Sequence, residues 1–71
     1  MSEAATLNAI RAYATRERLA ASRAADAAVR VPRAAPAEQR QQAATVCAFS
    51  KARANAMDDV LRIIREMEAA P

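Results

Sequence analysis

Val31-Pro32-Arg33-Ala34-Ala35-Pro36 is the stretch that decides the fold, because two prolines stand close together there and break an otherwise unbroken run of helix formers. Proline has no amide hydrogen to donate, and its ring disfavours the helical conformation in the residue before it, so a helix cannot continue through this segment. Upstream, the sequence predicts a helix over about 3–30, with Ser2 or Thr6 as its N-cap. Downstream it predicts a second helix over about 37–69. Pro36 suits the start of that helix, and Glu38 lies where the positive end of the helix dipole favours a carboxylate. A connection of only residues 31–36 makes the two helices antiparallel neighbours. One further break is signalled near 55: Asn55-Ala56-Met57-Asp58 has the form of an N-cap followed three residues later by an acidic group.

The composition points the same way. The 71 residues include no glycine, and nearly a third are alanine. Alanine has the highest helix propensity, and without glycine a left-handed turn or a phosphate-cradling loop is costly to form. The expected class is therefore all-α: one domain over 1–71, folded as an antiparallel two-helix hairpin of the alanine-type coiled-coil kind. A chain this short has little interior of its own, so self-association into a four-helix bundle is expected to complete it.

Heptad spacing suggests which faces meet. On the first helix the seam reads Leu7, Ile10, Ala14, Glu17, Ala21, Ala24, Ala28 and Val31. On the second it reads Gln42, Val46, Phe49, Arg53, Ala56, Val60, Ile63 and Met67. Folding at the prolines sets Leu7 against Ile63, Ile10 against Val60, Ala14 against Ala56, Ala21 against Phe49 and Ala24 against Val46. The same register sets Glu17, the only acidic seam residue, against Arg53, the only basic one, and predicts a buried pair that locks the register. Met57, Leu61 and Ile64 then form a stripe beside the seam. Tyr13 and Leu19 point away from it. These five residues are the expected surface for self-association or for a partner.

The charge is +3 overall. It concentrates at the turn end, where Arg23, Arg30, Arg33 and Arg40 form a basic patch. The simplest role for it is a solvated surface that keeps the bundle soluble; the functional alternative is contact with phosphates or an acidic protein. One tyrosine and one phenylalanine offer little for stacking on bases.

Chemistry is poorly served. The chain has no histidine and one cysteine, Cys47, so neither a zinc set nor a disulfide within the chain can form, and the thiol has no base beside it. No catalytic, metal or cofactor residue is expected, and no enzyme activity. No apolar run is long enough to span a bilayer or to act as a secretion signal, and a lone thiol suits a reducing cytoplasm.

The expected function is a small non-enzymatic interaction module, an adaptor or inhibitor of bacterial or phage type that binds another protein. The alternative is a dimeric hairpin that binds RNA or DNA. The layout of a short two-helix chain expected to pair into four antiparallel helices is similar to that of the plasmid RNA-binding ROP bundle, which implies RNA as the partner for that alternative. More distantly, Pro32-Arg33-Ala34-Ala35-Pro36 resembles the proline-bracketed turn of type III secretion needle subunits. The run Met57-Asp58-Asp59-Val60-Leu61-Arg62-Ile63-Ile64 is similar to their C-terminal helix. That resemblance implies a secretion needle-like or secretion chaperone-like subunit.

Overall fold

Ser2 opens the first helix. Its backbone is extended, and its side-chain oxygen accepts a hydrogen bond from the amide of Ala5 at 3.1 Å. This satisfies one of the amides that the first helical turn leaves without a partner. In the computed structural model, which describes residues 2–70, α1 spans Glu3–Val29 and α2 spans Ala37–Ala69. The molecule is an all-α helical hairpin, 55 Å long, 19 Å wide and 13 Å thick.

The reversal is made without any positive φ among the described residues, as a chain lacking glycine requires. α1 ends on Arg30 in a right-handed conformation; the Arg30 amide donates to the carbonyl of Ala27 at 3.2 Å and the Val31 amide to that of Ala28 at 3.4 Å. The amide of Ala35 closes a tight turn on the carbonyl of Pro32 at 3.0 Å. Pro36 takes the N-cap position of α2, one residue before the helix proper, where its fixed φ is compatible and its missing amide costs nothing. The Arg40 guanidinium reaches back to the carbonyl of Ala35 at 3.1 Å and holds the turn to the first turn of α2. α2 passes through Asn55 without a break. The capping pattern there is overridden because an exposed asparagine costs a helix interior only a fraction of a kcal/mol, about 0.7 at most. Pro71, the last of the three prolines, lies outside the described residues.

The helices pack through a seam of small side chains, but not through the rows expected for both. On α1 the buried residues are Ala14, Ala21 and Ala25, with Leu7, Arg11, Ala24 and Ala28 half-buried beside them. On α2 the covered row is Ala43, Cys47, Ser50, Ala54, Met57, Leu61 and Ile64. It has the alternating four-and-three spacing of a coiled coil, and it is displaced by one residue from the row that starts at Gln42. The expected contacts of Ala21 with Phe49 and Leu7 with Ile63 are therefore corrected: the level along the hairpin is right, and Ala24 and Val46 still border one groove, but α2 is turned by about 100° about its own axis.

The reason is the closeness of the backbones. A strip of alanine methyls on α1 lets α2 approach closely only if it also presents small groups. Ala43, Cys47, Ser50 and Ala54 meet that condition; Val46 and Phe49 do not. Farther from the turn the same row continues as Met57, Leu61 and Ile64, level with Leu7 to Ala14, and supplies the bulk there. The seam is thus lined by small side chains near the turn and by larger ones at the open end. Met57, Leu61 and Ile64 belong to it. Ile64, 3% exposed, is the best buried large side chain, so these three are not a free stripe.

Candidate interaction surface

Rotating α2 by one residue moves its bulkiest apolar row into solvent. Val46, Phe49, Ile63 and Met67 are all exposed, with Val60 half-buried among them. Phe49 is the extreme case at 69% exposed. On α1, Ile10 and Tyr13 are exposed at the matching helical spacing. These two rows lie on one face of the hairpin, because a member of each meets a member of the other. Arg53 Nη2 donates to Glu17 Oε2 at 2.5 Å across the helices. Nearer the turn, Ala24 and Ala27 line one groove together with Gln42 and Val46. The result is an apolar face made of two patches. Ile10, Tyr13, Val60, Ile63 and Met67 occupy its open end, and Val46 and Phe49, flanked by Ala20, Ala24 and Ala27, occupy its turn end.

The Glu17–Arg53 pair sits between these two patches. The pairing expected from the sequence is present, but its burial is not. The Glu17 side chain is 27% exposed and that of Arg53 46%, because both lie on the rim of the seam instead of inside it. In this position the pair is partly screened by water and contributes little net stability to the hairpin.

The opposite face is charged. Arg11 pairs with Glu68 and Arg18 with Asp58, both across the helices. On the outer side of α2, away from α1, Asp59 pairs with Arg62 at 3.4 Å. Leu19 lies on the charged face, where it shares a groove with Thr15, Arg18, Asp58, Leu61 and Arg65. Tyr13 and Leu19 are equally exposed, but the structure assigns them to different faces. The five residues expected to make one surface are therefore divided among the apolar face (Tyr13), the charged face (Leu19) and the seam (Met57, Leu61 and Ile64).

At the turn end Arg23, Arg30, Arg33 and Arg40 are all exposed. Arg40 is engaged with the Ala35 carbonyl, and no ion pair is found for the other three among the described residues. Cys47 is half-buried in the seam, where its small size lets the backbones approach. Among the described residues no group of histidine, cysteine or carboxylate side chains could hold a metal ion, and no helix is long and apolar enough to cross a membrane.

The α2 row of the apolar face is visible in the sequence as a heptad row, the one expected to form the seam. The signal that distinguishes the two is the second row, one residue on, whose small members at Ala43, Cys47, Ser50 and Ala54 match the alanine strip of α1. No protein-family model matches the chain, and no curated protein or solved structure is significantly similar to it.

Proposed function

We propose that this chain is a non-enzymatic protein-interaction module of the adaptor or inhibitor kind, working in the cytoplasm, and that the apolar face is its working surface. One observation carries the reading: six large apolar side chains, Ile10, Tyr13, Val46, Phe49, Ile63 and Met67, stand exposed on one face of a hairpin whose other face is charged. Scattered exposed apolar groups are ordinary, but large ones gathered in two patches on one face mark a surface that another protein covers. The side chains stand at the three-and-four spacing with which one helix reads another, so the complementary surface is helical.

Site-specific photocrosslinking in the producing cell tests this. A photoreactive phenylalanine at position 49 is expected to yield protein adducts, and the same probe at Thr15, on the charged face, is not. Adducts to RNA or DNA would replace the reading with a nucleic-acid one. Protein adducts from position 15 with none from position 49 would place the working surface on the charged face.

A further inference from the structure

The apolar face is self-complementary, and we infer that its occupant in the free protein is a second copy of this chain, laid face to face about a two-fold axis parallel to the hairpin, with both turns at the same end. The inference rests on the reading above, that this face is the working surface, and adds the identity of what covers it.

Three features of the face support a second copy. The first is the position of its charges. Arg53 is the central residue of α2, Ala37–Ala69, and Glu17 is one residue beyond the centre of α1, Glu3–Val29. A two-fold axis along the hairpin sets α1 of each copy over α2 of the other at the same level. Glu17 of each copy then lies over Arg53 of its mate, and the two pairs close into a square of alternating charge. An axis across the helices would instead reverse the second copy end to end and stack Glu17 on Glu17 and Arg53 on Arg53. Like charges brought together in an interface are costly, so the pair selects the first arrangement.

The second feature is shape. The level at which Glu17 meets Arg53 also sets Tyr13 of one copy over Ala56 of the other, and Phe49 over Ala20 and Ala24. Each aromatic ring on the face meets alanine methyls, as close packing of a large side chain requires, and at the open end Ile10 meets Val60 and Ile63 in an all-aliphatic contact.

The third is area. A face 55 Å by 19 Å offers roughly 1,000 Å² to a mate, above the ~800 Å² per partner of a standard stable interface. The hairpin alone has little interior, since the buried apolar residues among those described are three alanines and Ile64. Pairing gives the exposed rows an interior to occupy. A heterologous helical partner then competes with the second copy for the same face, so binding is coupled to dissociation of the dimer.

Sedimentation and spin-label distances test the inference on the full chain. The wild type is expected to sediment as a dimer at high micromolar concentration. Phe49→Glu, which puts a carboxylate on the face and leaves the seam untouched, should weaken the dimer by roughly thirty-fold or more. A spin label at Ala34→Cys in a Cys47→Ser background reads the arrangement directly without disturbing the face. The two labels should lie well under half the 55 Å hairpin length apart. A separation near the full length would overturn the proposed axis. A wild type that remains monomeric would overturn the second copy as occupant. In that case protein adducts from position 49 would still support the interaction module, and their absence would remove both readings.

Discussion

Two rows of α2 run side by side, one residue apart, with the same coiled-coil spacing. One reads Ala43, Cys47, Ser50, Ala54, Met57, Leu61 and Ile64; the other reads Val46, Phe49, Arg53, Ala56, Val60, Ile63 and Met67. By apolar bulk alone the second is the better core, with five large apolar side chains against three in the first. The hairpin covers the first. Apolar bulk therefore does not decide which row a two-helix hairpin buries when its other helix offers mostly alanine. What decides is how closely the backbones can approach, and whether every position along the contact fills the gap that remains. The row left outside keeps its bulk for a further contact.

The sharpest way to break this comparison is to truncate neighbours, one from each row. Ile64 is 3% exposed and Ile63 48%. Ile64→Ala should cost about 2–5 kcal/mol, because it removes the best buried large side chain and leaves a cavity. The loss should be the same at every protein concentration in a denaturation series. Ile63→Ala should act only at concentrations where the dimer is populated, by lowering its midpoint. Equal, concentration-independent losses for both would show that the rows are not distinct.

A second test sharpens the claim about approach. Ala14 is fully buried, at 0% exposed, where the helices are in contact. Ala14→Leu adds apolar volume, yet it should destabilise by about 1–3 kcal/mol because the backbones must separate to admit it. Ala20→Leu, on the exposed row of the same helix, should stay within about 0.5 kcal/mol in the monomer. Chemical denaturation of both variants at low micromolar concentration measures the contrast. A stabilised Ala14→Leu would mean the seam is loosely packed.

The smallest effects belong to the ion pairs. Asp58→Asn removes the pair with Arg18 on the charged face, where both side chains are about half exposed. Its cost should be about 0.2–1 kcal/mol at low salt and should vanish in high salt, since water and ions screen such a pair. Glu17→Ala should be equally mild in the monomer, against the strong effect that a buried pair would give, but should weaken the dimer. Thermal melts across a salt and concentration series separate these outcomes.

Much of this architecture could be read from the sequence because it depends on local rules. Pro32 and Pro36 disfavour helix in the residue before each and interrupt its hydrogen bonds, the alanine-rich flanks favour it, and a short connection forces the helices to run back along one another. The level of pairing was legible too, since Glu17 and Arg53 meet as a centred register requires. The rotation of α2 was not. Period and level are the same for both of its rows, and only the distance between backbones separates them. That distance is set jointly by Ala14, Ala21 and Ala25 on one helix and Ala43, Cys47, Ser50 and Ala54 on the other, so neither helix reveals it alone. The assignment of Met57, Leu61 and Ile64 to an outer stripe failed for the same reason.

The proline-bracketed reversal also governs how the chain reaches its fold. Two of the six residues in 31–36 already have their φ fixed before folding begins, so the unfolded chain has less freedom to lose there. Ala28 and Ala43, which border the same grooves beside the turn, are 15 residues apart in sequence, whereas Leu7 and Ile64 are 57 apart. Closing the longer loop directly would cost about 1 kcal/mol more chain entropy than closing the shorter one. Chain entropy therefore favours zipping from the turn toward the termini, and the end that holds the largest buried side chains is expected to form last. Contacts that form last act on the rate of opening more than on the rate of closing. The lifetime of the folded hairpin is thus controlled from the end farthest from the prolines, and its speed of formation from the alanines beside them.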